Sequence, residues 1–402
     1  RRRSASENLL MAMLDLRAPA RLRERILARN ERCLRFFERE SVRLARASYE
    51  MAQRFRDGGR LLAFGKGAYA TDAMHLSVEF IHPVLVGKRA LAALDVSAAP
   101  EAWIESLAAS RDMVVSLGPP EGDRAGEAIL SAAHARGAMT LAWPGTSADY
   151  AVESPSEDAH VHQELFELLG HSMYETVQVF LEHVSRHRPV EGMEFLYPFL
   201  GETETSPHTL IDDVATSIRV KARDANALRA QVAADQSDTI ARAAQLIGSR
   251  IALGGRILAF GNGGSATDAT DFALDCVMPS NNWPAIPAIS LALEPAVITA
   301  TANDVGSDLI FLRQLIAQCR PGDVAMAFST SGGSRNVVAA LEEAGRLGLA
   351  TVALLGYDGG EIVRRSLADV AIVVRSDYIP RIQEAQGTIY HVLREALAEA
   401  SC

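Results

Sequence analysis

The chain repeats itself. Gly58-Gly59-Arg60-Leu61-Leu62-Ala63-Phe64-Gly65-Lys66-Gly67 returns as Gly254-Gly255-Arg256-Ile257-Leu258-Ala259-Phe260-Gly261-Asn262-Gly263. Ala70-Thr71-Asp72-Ala73 returns as Ala266-Thr267-Asp268-Ala269, and both pairs are 196 residues apart (58 to 254, 70 to 266). Two matches in one register constrain the fold first: whatever one half forms, the other must form too. At 402 residues the chain has room for two such halves, each with its own core.

The order of elements also repeats. Each half opens with apolar residues at helical spacing, near 22–57 and 210–253, and stops at a Gly-Gly pair. Short apolar runs follow, each predicted as a strand: Leu61–Phe64, Met113–Leu117 and Met139–Trp143 in the first half, Ile257–Phe260, Val324–Phe328 and Ala350–Leu355 in the second. Helical stretches separate them, and helices near 156–185 and 380–400 close the halves. Strands alternating with helices predict a parallel sheet of about five strands flanked on both faces. The polar, Pro- and Gly-bearing stretch 190–208 reads as the linker.

Composition excludes several classes of function. An apolar fraction of 48% is ample for globular cores. A net charge of −10 without a basic tract argues against a nucleic-acid partner. Cys33, Cys276, Cys319 and Cys402 are scattered and form no C-x-x-C pair, which fits a reducing cytoplasm better than a disulfide framework. No apolar run reaches the roughly 20 residues of a membrane span. Arg1-Arg2-Arg3-Ser4 lacks the apolar core of a signal peptide and reads as a solvated end.

Two loops in the second half carry the chemistry of anion binding. Gly261-Asn262-Gly263-Gly264-Ser265 lies between a predicted strand and helix, where glycines let several N–H groups converge and the helix N-terminus adds positive potential. Ser329-Thr330-Ser331-Gly332-Gly333-Ser334 has the same setting and adds hydroxyls. Two such loops at adjacent strand ends predict a phosphate pocket at the carboxyl edge of a sheet. A dinucleotide site is disfavoured, because the G-x-G-x-x-G spacing is absent and a second phosphate loop is present. No nucleotide cofactor is expected.

These loops, with Arg381-Ile382-Gln383-Glu384 and the segment Val297–Asp304, resemble the phosphoheptose isomerase branch of the sugar-isomerase (SIS) family. The likeness covers nearly all of the second half and, through the repeat, extends faintly over the first. It implies an α/β fold of two tandem SIS-type three-layer α/β/α modules, 1–195 and 209–402. It implies a phosphorylated sugar bound by Asn262, Gly263, Gly264, Ser265, Ser329, Thr330, Ser331, Ser334, Gln383 and His391, with Glu294 where the family has an aspartate near the substrate.

The branch carries a His and a Glu four apart after its first phosphate loop, and a Gln and a His eight apart on its last helix. Some members hold zinc with them. In the first half His75, Glu79, Gln163 and His171 match, with Glu79 and His171 as the catalytic pair and all four as metal ligands. In the second half Asp271 and Asp275 replace the His and Glu, while Gln383 and His391 remain. The phosphate loops show the opposite loss. Tyr69 takes the place of the loop serine, and Gly118-Pro119-Pro120-Glu121-Gly122-Asp123 offers two carboxylates and no hydroxyl. A solvated His75/Glu79 pair, a core histidine at 171 and a polar helix face at 271 and 275 are the plainer alternatives. The complementary losses instead imply a working site shared by the two kinds of module, in a homodimer that mimics the family's four-module assembly.

The expected reaction is aldose–ketose isomerisation of sedoheptulose 7-phosphate to glycero-manno-heptose 7-phosphate through an enediol(ate). Glu79 would be the carbon base or, with zinc bound, a ligand. Rival readings are another phosphosugar isomerase or aldolase-like enzyme, a non-catalytic phosphosugar-binding regulator, and a scaffold.

Overall fold

The structure, a computed structural model, describes residues 18–83, 87–185, 207–280 and 282–401. The basic start, Cys402 and the linker up to residue 206 lie outside the described residues. The chain divides into two compact units, Arg29–Asn226 and Arg1–Ala28 with Ala227–Cys402. They are called here the N-terminal and the C-terminal unit.

The elements of the first stretch are α1 (Ala18–Arg56), β1 (Leu61–Gly65), α2 (Tyr69–Ile81), β2 (Ala93–Asp95), α3 (Pro100–Leu107), β3 (Met113–Leu117), α4 (Arg124–Ala135), β4 (Met139–Trp143), β5 (Tyr150–Ala151) and α5 (Ala159–Ser185). Then come α6 (Pro207–Asp235), α7 (Ser237–Ala252), β6 (Ile257–Phe260), α8 (Gly264–Val277), β7 (Ala288–Ser290), α9 (Pro295–Asp304) and α10 (Ile310–Gln318). The chain closes with β8 (Val324–Ser329), α11 (Arg335–Arg346), β9 (Ala350–Gly356), α12 (Gly360–Arg364), β10 (Val370–Val374) and α13 (Ile379–Ser401). The division between units falls within α1 and α6, so each of these helices gives residues to both.

Each unit holds a five-stranded sheet, ordered β2-β1-β3-β4-β5 and β7-β6-β8-β9-β10, with every neighbour parallel. The two sheets share one strand order and one register. Leu61 lies opposite Met113 and Ile257 opposite Val324. Met113 lies opposite Met139 and Val324 opposite Ala350. The repeat in sequence is therefore a repeat in fold.

The central strands are buried at every position, which is why they read as unbroken apolar runs. Alternate residues feed two cores. Leu61 and Ala63 join a core with α1, α2 and α5, and Leu62 and Phe64 join one with α3 and α4. In the C-terminal unit Ile257 and Ala259 pack with α7, α8 and α13, and Leu258 and Phe260 with α10 and α11. These are the three layers the alternating pattern predicts. The pattern did not locate the short edge strands β2, β5, β7 and β10. It also joined 210–253 into one helix, whereas the structure breaks that stretch at Gln236. There the Ser237 hydroxyl donates back to the Ala233 carbonyl four residues earlier, a side-chain bond of the kind that often bends a helix. Among the described residues no helix is long and apolar enough to cross a membrane.

Two repeated devices fix the sheet starts. Gly59 and Gly255 pass so close to the backbone that a Cβ would meet the Arg111 carbonyl oxygen at 2.1 Å and that of Gly322 at 2.3 Å, which explains the recurring Gly-Gly. Asp112 and Asp323, both buried, each hold a strand-opening arginine. Asp323 accepts from the Arg256 N–H at 2.8 Å, the Arg256 Nη2 at 2.7 Å and the Arg320 N–H at 2.9 Å. Asp112 does the same for Arg60 at 2.9 and 2.8 Å and for the Ala109 N–H at 3.0 Å. Removing one member of a buried pair leaves its partners unsatisfied. Asp323→Ala is therefore expected to cost about 3 kcal/mol, near the low end for such pairs because Arg256 keeps some solvent. Urea unfolding measures this, and a midpoint unchanged from wild type overturns it.

Candidate functional site

In the C-terminal unit the two Gly-rich loops leave neighbouring parallel strands, β6 and β8, at the same sheet edge. They come close. A Cβ at Gly261 would lie 2.8 Å from the Phe328 carbonyl oxygen and 2.4 Å from that of Ser265, so the first loop can form here only with glycine. The side-chain amides of Asn262 and Asn336 exchange hydrogen bonds of 2.9 Å, tying the first loop to the helix after the second. The Gly332 N–H donates to Ser329 Oγ at 3.1 Å and the Gly333 N–H to Ser331 Oγ at 3.3 Å, which curls the second loop. Ser265 and Ser329 are buried, Thr330 and Ser334 half-buried, and Asn262, Gly263 and Ser331 exposed at the rim. Neither α8 nor α11 has an acidic residue in its first turn. Helix N-termini, hydroxyls and glycine amides here make a cradle of donors of the kind that can receive an anion. Glu294 is exposed at the amino end of α9, just after the edge strand β7.

The corresponding loops of the N-terminal unit are filled from within. Tyr69 opens α2, and Asp72 stands in its first turn. Asp123 caps α4 by accepting from the Ala125 N–H at 3.0 Å, and Glu127 follows in the same turn. A carboxylate thus already occupies the helix end that an anion would use. His162 plugs the remaining space: its Nε2–H donates to the Gly118 carbonyl at 2.8 Å and its Nδ1 lies 2.7 Å from Ser154 Oγ. Its ring packs 4.3 Å from Phe166 and 5.9 Å from Tyr69. Burial pushes the His162 pKa down to about 4, against a smaller opposing pull from the Gly118 carbonyl. Sequence reasoning missed this plug, since nothing in the spacing of a lone His distinguishes it.

Helices α2 and α5 of the N-terminal unit bring three residues together. His75 Nε2 lies 3.1 Å from His171 Nε2 and 4.0 Å from Glu79 Oε1. All three are buried, and each offers a ligand atom within 4.8 Å of the others. Burial first, and then His171, pushes the His75 pKa down to about 3. Its ring is therefore neutral at physiological pH, the state in which imidazole binds a metal. Gln163 donates through Nε2 to both carboxylate oxygens of Asp72, at 3.2 and 3.1 Å. Asp72 was not singled out from sequence, although it belongs to the repeated Ala-Thr-Asp-Ala. Two imidazoles and a carboxylate are donors suited to a borderline cation such as zinc.

In the C-terminal unit Asp271, Asp275, Gln383 and His391 are all buried. The Tyr390 hydroxyl donates to Asp271 Oδ2 at 2.8 Å. His391 Nε2 lies 3.6 Å from Asp271 Oδ2 and 3.4 Å from Asp275 Oδ2. Arg394 Nε donates to the Asp275 carbonyl at 2.9 Å and Nη2 to the Pro284 carbonyl at 2.9 Å. The sequence reading noticed neither Tyr390 nor Arg394, because both sit in an apolar helical pattern.

The SIS domain model matches residues 222–356. The chain is 45% identical over 172 residues to the phosphoheptose isomerase of Chlorobaculum parvum, covering 42% of this chain and 81% of that protein. It is 39% identical over 192 residues to the phosphoheptose isomerase of Pelobacter propionicus, covering 48% of this chain and 98% of that protein. Among solved structures, the C-terminal domain of glucosamine-fructose-6-phosphate aminotransferase from Francisella tularensis matches 94% of this chain and 96% of its own, with a TM-score of 0.57 and 9% identity. That likeness concerns the fold alone.

Two outcomes are expected. Inorganic phosphate or sulfate soaked into crystals should occupy the Ser265/Ser329–Ser334 loops and not the Gly118–Asp123 loop; density in the second with the first empty overturns the assignment. Below about pH 6.5, the ordinary histidine value, the unfolded chain takes up a proton that folded His162 refuses until about pH 4. Stability therefore falls as pH drops through that window. His162→Gln should flatten the fall in urea midpoint between those pH values, and an unchanged slope counts against the buried neutral ring.

Proposed function

The chain belongs to the SIS-domain family of phosphoheptose isomerases, and from that premise we propose that it interconverts the ketose and aldose forms of a phosphorylated sugar. The substrate is sedoheptulose 7-phosphate and the product a glycero-manno-heptose 7-phosphate. What supports this reading is the division of parts: a hydroxyl-lined anion cradle in the C-terminal unit, and His75, Glu79 and His171 gathered in the N-terminal unit.

The sugar phosphate is bound through Ser265, Ser329, Thr330, Ser331 and Ser334, with the amides of Asn262, Gly263 and Gly264 completing the cradle. Gln383, His391 and Glu294 complete the proposed substrate set. Isomerisation moves a proton between C1 and C2 while the carbonyl and hydroxyl oxygens exchange roles, and groups with suitable proton affinity carry it. Glu79 takes and returns the carbon-bound proton, and His171 serves the oxygens. Zinc, held by His75, Glu79 and His171 with Gln163 as a fourth donor, would polarise the carbonyl; Glu79 is then a ligand. The protein works as a homodimer of four modules in the cytoplasm, in keeping with the free thiols of Cys33, Cys276 and Cys319.

A second reading, a phosphosugar-binding regulator without catalysis, draws on Asp271 and Asp275, which stand beside the cradle-bearing unit's His391 where the resembled branch has a His and a Glu.

The test is turnover of sedoheptulose 7-phosphate, with and without zinc, alongside binding measured by calorimetry. Glu79→Gln is expected to lower kcat by about 100-fold or more, the scale of a lost general base, with binding largely kept. Ser331→Ala should weaken binding by roughly tenfold, since a hydrogen bond to a charged group is worth about 1.5–3 kcal/mol. Full turnover in Glu79→Gln with loss in Asp275→Asn assigns the chemistry to the C-terminal unit and overturns the division of parts. Phosphosugar binding without turnover in the wild type establishes the regulator instead.

A further inference from the structure

We infer that the N-terminal unit binds a small organic phosphate in a cleft at the amino edge of its sheet, with the phosphate between Arg46 and Arg111 and the body of the molecule against Tyr49, Tyr150 and Ile211. The inference is independent of the proposed isomerisation, none of whose residues lines this cleft.

The cleft has a volume of about 590 Å³, within the roughly 300–1,000 Å³ of small-molecule sites. Its walls are the carboxyl end of α1, the residues just ahead of β3, the start of β5 and one residue of α6. The strands are parallel, so this edge lies opposite the one that bears the loops after β1 and β3.

The walls are fixed by their own contacts. Arg54 Nε donates to Glu50 Oε1 at 3.0 Å and Nη1 to the Ser110 carbonyl at 2.6 Å, which fastens α1 to the chain ahead of β3. The Tyr150 hydroxyl donates to Glu50 Oε2 at 3.1 Å, and the Tyr49 ring stands edge-on to Phe180 at 5.3 Å. Glu50 is thus neutralised by Arg54, and Asp57 faces Arg56 at 3.7 Å. Burial first, and then Glu50, push the Tyr150 pKa up to about 12, so the phenol brings no negative charge at neutral pH. Arg46 and Arg111 remain. Both are exposed, and among the described residues neither holds a carboxylate. The planar fork of a guanidinium matches phosphate oxygens, and two of them stand here at the rim of half-buried tyrosine and isoleucine surface.

The fold does not require these residues. The repeat offset of 196 pairs Arg46 and Arg54 with Arg242 and Arg250, but Tyr49, Glu50 and Gln53 with Gln245, Leu246 and Ser249. The sheet registers pair Ser110 and Arg111 with Pro321 and Gly322, and Tyr150 with Val370. The C-terminal unit therefore builds the same sheet and the same helix stop without Arg111, without either tyrosine and without the carboxylate that joins Tyr150 to Arg54. What lines the cleft is an addition to the frame.

The experiment is calorimetric titration of the full chain with adenosine monophosphate, ribose 5-phosphate and inorganic phosphate. At least one of the two organic phosphates is expected to bind more tightly than inorganic phosphate by about tenfold or more. That binding should persist in Ser331→Ala and weaken by about tenfold or more in Arg46→Ala/Arg111→Ala, the scale of a lost hydrogen bond to a charged group. Binding of adenosine monophosphate alone assigns the body to a flat ring, and binding of ribose 5-phosphate assigns it to the sugar. If the double variant fails to fold by circular dichroism, Arg111→Gly, which installs the residue found in the C-terminal unit, should still weaken binding by roughly fivefold. Affinity unchanged by the arginine substitutions overturns the inference. So does a fall in Ser331→Ala as large as that in the arginine variant, inorganic phosphate bound as tightly as either organic phosphate, or no binding of any of the three.

Discussion

The parallel pairing of β6 with β8 is the constraint on which the cradle depends. Strands joined by helical crossovers run the same way, so both loops emerge at one sheet edge beside two helix N-termini. The approach is tight enough that Gly261 has no room for a Cβ. At the opposite end of the same strands, buried Asp323 fixes Arg256 and the start of β8. The N-terminal unit keeps the whole arrangement, with Asp112, Arg60 and the β1–β3 register, yet has no cradle. Scaffold and ligand chemistry are separable because the sheet is held by its buried faces while the loops at its edge are not.

That separation explains how two copies of one fold came to carry different loops and different buried side chains. Filling the N-terminal loops with Tyr69, His162 and Asp123 does not disturb the strands beneath them. His162 is satisfied by the Gly118 carbonyl, and Asp123 satisfies a helix N–H that an anion would otherwise take. The gathered His75, Glu79 and His171 depend instead on how α5 is seated. That helix carries two buried ion pairs, Arg29 with Glu164 at 2.8 Å and Lys221 with Glu175. Buried pairs are weak evidence of stability, but they demand one geometry, and a helix seated in one way presents His171 to His75 in one way.

Much of the fold was legible because its signal is local and periodic. The repeat set the number of units, unbroken apolar runs marked the central strands, and the Gly-Gly stops marked where helices end. The edge strands were not legible. β2 and β7 have three residues each and β5 has two, too few to show a period, and they exist because a neighbouring strand offers its edge. The break at Gln236 was missed for a similar reason: apolar residues keep helical spacing on both sides of it.

The sequence by itself determined that there are two copies of a helix-flanked parallel sheet, that one bears two phosphate-type loops, and that the His, Glu, Gln and His positions survive in the other. Spacing along a helix is enough for that, because residues four or eight apart share a face. Only the tertiary structure decided what those faces meet. It set His75 Nε2 3.1 Å from a ring nitrogen 96 residues away, put His162 into the vacated loop, and carried the Tyr390 hydroxyl to Asp271 across 119 residues of chain. Such meetings depend on the packing of separate helices and on the volume each side chain leaves to the next, and no one-dimensional pattern contains either.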